Sequence, residues 1–121
     1  MAWLNNEVFD QGLDWLQTYG KRVDHCSQEP ATYTEATSTY TLGNAAVTTG
    51  APQNGDVDGR KVTVPAVTGG SNTASGTATH VALSDGVSVL CATTALVTQK
   101  AVSSSDTFNL TAWDISQRQP S

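Results

Sequence analysis

The stretch Gly76–Ile115 constrains this chain more than any other, because it alternates apolar and polar residues at the two-residue period of a strand. Thr79–Leu83 and Val87–Cys91 flank Ser84-Asp85-Gly86, and Asp-Gly between alternating runs is a strong hairpin signal. A third run, Asp106–Ile115, puts Phe108, Leu110 and Ala112 on one face and Asn109, Thr111 and Trp113 on the other. The expectation is a three-strand unit with one buried face, over which the remaining chain folds. Val62, Val64, Val81, Leu83, Phe108 and Leu110 are its expected floor.

Before that unit the clearest element is a helix over Asn5–Tyr19. At about 100° per residue, Leu4, Val8, Phe9, Leu13, Trp15, Leu16 and Tyr19 occupy one half of the wheel. Asn5 or Asn6 suits the cap, early acids suit the dipole, and Gly20 suits a left-handed stop. So wide an apolar stripe must be covered, and the sheet's open face is the expected cover, with Trp15 on the covered side. Asp10 and Asp14 are like charges one turn apart, either solvated or relieved by a basic partner.

Lys21–Cys26 reads as a short strand, broken by Ser27-Gln28-Glu29-Pro30. Ala31–Thr41 reads as loop with a short turn, and Tyr40–Val47 as a weak strand. Thr48–Gly59 is expected to be loop, Arg60–Val67 a strand weakened by Pro65, and Gly69–Asn72 a turn. Thr73–Leu83 resumes the sheet, and Ala95–Ser105 is expected to be a linker with a short strand at Ala101-Val102. The residues after Ser116 read as a frayed tail. About seven short strands at this spacing predict a mainly β chain. Its expected form is an antiparallel β-sandwich or small barrel with one N-terminal amphipathic helix packed on it. One domain is expected over residues 1–121, with the helix at 5–19, the β part at 21–116 and the tail at 117–121.

Composition supports that reading. Only 14% of the 121 residues are charged, well below the usual quarter, and Thr and Ser take much of the surface role. β-Branched Thr and Val favour pleated surfaces. A net charge of −5 with six Lys and Arg cannot build a phosphate-tracking stripe, so nucleic acid is not an expected partner. An acidic skin suits a neutral or basic protein surface, or serves solubility alone. No run approaches the ~18 apolar residues of a membrane span. Met1–Leu4 leads straight into Asn5-Asn6-Glu7 without a secretory pattern, so a reducing cytosol and free Cys26 and Cys91 are expected, with a bridge between them left open.

No motif specifies a reaction. His25, Cys26, His80 and Cys91 fit no paired zinc spacing, and neighbouring His and Cys on a strand face opposite ways. Asn54, Asp56 and Asp58 resemble the start of a calcium loop, but the twelfth position, where an acid is needed, is Pro65. Gly86-Val87-Ser88-Val89-Leu90 lacks the closing glycine of a nucleophile elbow. Gly69-Gly70 lacks the downstream lysine of a phosphate loop. No enzyme activity, cofactor or metal is expected. Trp113 points either outward, as an interface anchor, or under the helix.

Two segments carry a resemblance. SQEPATYTEATSTYTLGNAAV with GDVDGRKVTVPAV, and then GTATHVALSDGVSVLCATTALVTQKAVSSSDTFNLTAWDI, are similar to small virion proteins of tailed bacteriophages, encoded among head and tail genes. The matching pattern runs Ala78-Thr79-His80-Val81-Ala82-Leu83, a turn, a strand through Leu90, Ala101-Val102, and Asp106-Thr107-Phe108. The resemblance covers nearly the whole chain and implies a capsid decoration, or cement, protein. Such a protein would be assembled into the virion in the host bacterial cytoplasm. It would bind the major capsid protein or other virion structural proteins, and self-associate as a trimer about threefold positions. Many copies would share the binding, and preference for the expanded shell would stabilise that shell by mass action. Trp3, Leu4, Asp10, Asp14 and Trp113 are the candidate contacts. A tail- or neck-associated subunit is the second expectation. A small carbohydrate-binding attachment module, using an exposed Trp113, is the third.

Overall fold

The computed structural model describes residues 5–117, apart from the side chains of Asn6 and Val97. The chain is mainly β, with two antiparallel sheets packed as a sandwich and one N-terminal helix against them. The elements run α1 (Asn6–Tyr19), β1 (Arg22–Cys26), β2 (Thr41–Ala46), β3 (Gln53–Asn54), β4 (Arg60–Val64), β5 (Val67–Asn72), β6 (Gly76–Ser84), β7 (Leu90–Val102), β8 (Thr107–Leu110) and β9 (Trp113–Gln117). Among the described residues one sheet is ordered β7-β6-β1-β2-β5-β8 and the other β3-β4-β9.

α1 forms where its caps and periodicity place it. Asn5 Oδ1 accepts from the Glu7 amide at 2.8 Å, and the Gly20 amide closes the last turn on Leu16 O at 2.7 Å. Gly20 does not stop the helix by left-handed geometry, since its φ is −80°. It is needed for space: a Cβ there would fall 2.6 Å from Thr49 Oγ1 and 2.9 Å from Leu83 Cδ2. Phe9 and Leu13 are buried and Leu16 packs on the core, with the helix lying against β4 of the smaller sheet. The covered stripe is narrower than expected. Trp15 is not on the covered side but 42% exposed, with Val8 at 55% and Tyr19 at 44% on the same flank.

Between the sheets lie Val23, Val64, Val67, Val81, Leu83 and Phe108, flanked by Leu110, Trp113 and Ile115. The six expected floor residues are buried or half-buried, but they come from both sheets. The expected three-strand unit does not exist as such. β6 and β7 form its hairpin, whereas the run Asp106–Ile115 breaks at Thr111-Ala112 and feeds two sheets: β8 pairs with β5, and β9 pairs with β4. The break resets the alternation, so Trp113 and Ile115 turn toward the core while Ala112 is exposed.

Several more segments differ from expectation. The hairpin strand starts at Leu90, not Val87, because Asp85 Oδ1 accepts from the amides of Val87, Ser88 and Val89 at 2.8–2.9 Å and ties them into a loop. Gly69–Asn72 is strand, not turn, and Gly70 leaves room for the Phe108 ring, whose nearest atom would sit 2.5 Å from an added Cβ. Ala95–Ser105 is no linker, since β7 runs unbroken to Val102. Ala31–Thr41 contains a π-helical turn at Glu35–Thr39, whose Ala36 packs over Cys26 and Ala82. Gln53–Asn54, expected as loop, pairs with β4, and Gln117, expected in the tail, belongs to β9.

Candidate docking groove

β1 lies in the middle of the larger sheet and is paired on both sides, with β2 and with β6. Its alternate residues face two interiors. Asp24 and Cys26 turn one way, and the Asp24 carboxylate is matched by Arg22 (Nε–Oδ1 2.8 Å, Nη2–Oδ2 2.9 Å) and by the Thr41 hydroxyl at 2.7 Å. Val23 and His25 turn toward the sandwich interior. His25 stacks on Phe108 with ring centroids 4.0 Å apart and planes at 21°, and its Nε2 meets Asn72 Oδ1 at 2.7 Å. Burial pushes the His25 pKa below its ordinary value, against the opposing pull of the Asn72 hydrogen bond. The imidazole is thus a neutral, oriented part of a wall. Asn72 Nδ2 has no hydrogen-bond partner among the described residues.

That wall borders a groove. β7 and β8 are opposite edges of the larger sheet, yet Leu96, Thr98 and Lys100 of β7 and Phe108 and Leu110 of β8 line one cavity of about 250 Å³. The sheet therefore curls until its two edges approach across the groove. A second cavity of about 200 Å³ continues from it, sharing Leu96, Leu110 and Thr111 and reaching Val81 and Trp113. A bulge helps to open the space. His80 pairs with Ala95 and Ala78 with Lys100, so residues 96–99 of β7 face the single residue Thr79 of β6. On the far side Asn109 Oδ1 accepts from the Gly69 amide at 2.9 Å and fixes β8 on β5 where that pairing is irregular. The result is an apolar floor under a polar rim, a shape suited to holding a ligand.

Of the residues singled out from the sequence, the described ones (Asp10, Asp14 and Trp113) do not gather at one site. Trp3 and Leu4 lie outside the described residues. Asp10 is half-buried and ion-paired within the chain, with Arg60 Nε holding its Oδ1 at 2.8 Å. Asp14 is exposed on α1. Trp113 is half-buried on β9 and lines the groove. The aromatic pair at the surface is Trp15 with Tyr19, ring centroids 5.2 Å apart. The helical wheel carried that pair, but the stripe looked too wide to split. Leu96, Thr98 and Lys100 gave no sequence signal, since a bulged edge strand need not alternate.

Reactive groups are tied down. Burial pushes the Cys26 thiol up to about 12 and the Cys91 thiol up to about 11, which leaves both protonated and inert. Both are free, and their register forbids a bridge. Cys26 sits opposite His80, whereas Cys91 lies next to Ala92 and Leu90, the partners of Leu83 and Ser84. That is roughly 10 Å along the strands, besides the intervening strand, beyond the reach of a disulfide. Asp56 is held by Lys61 at 2.7 Å. Among the described residues no three His, Cys, Asp or Glu side chains converge as metal ligands.

Compared with family models, with curated proteins and with solved structures, the chain matches none.

Proposed function

We propose that this chain is a structural protein of a tailed-bacteriophage virion, of the capsid-decoration type, that binds the outer shell and stabilises it without chemistry of its own. The observation that carries the reading is the split helix. One flank of α1 seats Phe9 and Leu13 in the core, and the adjoining flank presents Val8, Trp15 and Tyr19 to solvent. Large apolar side chains held in line on a rigid element are the anchors expected of a protein interface. The hydroxyl-rich, charge-poor sandwich, and the likeness of its strand and turn segments to small virion proteins, support the reading that this interface works in a particle. Repetition does the energetic work, since each small contact gains from its neighbours when many copies engage one lattice. Self-association about threefold positions belongs to the same proposal.

The test is a mass-spectrometric copy count on purified particles, repeated with Trp15→Ser. Decoration requires a copy number comparable to that of the shell subunit, and loss of most copies in the variant while its isolated fold persists. A few copies confined to the tail or neck would replace this reading with a tail-side subunit. Absence from the particle would end both.

A further inference from the structure

The groove has a property that the helix flank lacks: free backbone. β7 and β8 are terminal strands of the larger sheet, so one side of each has no ladder partner among the described residues. Free edges of this length template the addition of a strand, and proteins guard against it with bulges, charges or covers. Here the bulge at residues 96–99 lies within the groove, and the charge is Lys100. Lys100 is exposed and holds no carboxylate among the described residues, whereas Arg22 and Arg60 each hold one and Lys61 holds two.

From these observations we infer that the groove between β7 and the β8–β9 corner receives an extended segment of another polypeptide as an added strand. The segment is apolar at alternate positions and carries a carboxylate that meets Lys100. Leu96, Leu110 and Trp113 take its inward side chains, and the rim hydroxyls of Thr98 and Thr111 border the polar ones. Main-chain hydrogen bonds supply affinity in this mode, and the alternating pockets supply selectivity. The charge complement excludes basic segments, because a second cation beside Lys100 has no counter-charge in the groove. The inference stands on the sheet edges and does not depend on the virion reading.

The probe is a capped octapeptide alternating valine and threonine and ending in glutamate. It is compared with a lysine-ended version and with a glutamate-ended version N-methylated on alternate amides. Backbone amide shifts and hydrogen exchange are followed on the full chain. Saturable binding of the glutamate peptide is expected, with slowed exchange along residues 94–100. Its affinity should exceed that of the lysine peptide roughly tenfold, the scale of one charge pair near a surface. N-methylation should abolish binding, and Lys100→Glu, an exposed change that leaves the core intact, should reverse the order of the two charged peptides. Four results would each overturn the inference: no saturation up to ~1 mM, equal affinities, shifts confined to the α1 flank, or protection of the β7 edge by dimerisation without peptide. The last would assign the groove to a second copy.

Discussion

Five residues of β1 and thirteen of β7 lie in the same sheet with only β6 between them, under opposite constraints. β1 is buried on both faces, so each polar group on it is matched: Asp24 by Arg22 and Thr41, His25 by Asn72. β7 is half-buried at its start and exposed over Thr98–Ala101, and it bulges. An interior strand must satisfy its chemistry internally and has little freedom left. An edge strand keeps unpaired backbone and unpaired charge, which is what a binding surface needs. The contrast locates stability in β1 and its neighbours, and leaves β7 as the strand on which the proposed strand addition rests.

The strongest challenge to that division is a pair of matched truncations. Leu83 is fully buried opposite Val23 of β1, and Leu83→Ala should cost about 3 kcal/mol through lost burial and the cavity left behind. Leu96→Ala, at the half-buried groove, should cost about 1 kcal/mol or less. Urea unfolding midpoints measure both, and comparable losses would erase the distinction. Next in size is Asp24→Ala, expected to cost about 2 kcal/mol because it strands Arg22 and the Thr41 hydroxyl. On β7, Lys100→Ala should shift stability by less than ~0.5 kcal/mol. Equal effects would mean that the Asp24 cluster is ornamental.

The smallest expected effect is a pH dependence specific to β1. The folded pKa of His25 lies below its ordinary value because of burial, with Lys100 adding to the depression and Asp24 opposing it. The unfolded chain therefore takes up a proton that the folded chain refuses. Stability is full above about pH 6.5, the unfolded value, and declines as pH falls toward the folded value. Unfolding midpoints at pH 7.5, 6.5 and 5.5 should show the decline, and His25→Gln should flatten it. A decline unchanged in the variant would place its origin elsewhere.

Much of the fold was legible where burial imposes a period. Thr79–Leu83, Val62–Val64 and Asn5–Tyr19 each announce their structure because one face must be dry. The misreadings cluster where that pressure is absent or divided. Thr98, Gln99 and Lys100 read as linker because an exposed edge imposes no alternation, yet they lie on the longest strand. Gly69-Gly70 read as a turn because the reason for Gly70, the ring of Phe108, is remote in sequence. Trp15 was placed inside because hydrophobicity alone cannot separate two adjoining flanks of one helix. The groove was hidden for a related reason. It exists only when two sheet edges far apart in the strand order curl toward each other, and no local pattern encodes that approach.

Among the described residues α1 and β9 are the first and last elements, and they meet: a Cβ on Gly12 would lie 3.2 Å from Gln117 Nε2. β1, likewise, gains its second neighbour only when β6 exists. The Phe9–Leu13 flank of α1 is thus closed by strands drawn from far along the sequence, β4 above all, so the helix docks only through long-range contacts that are slow to form.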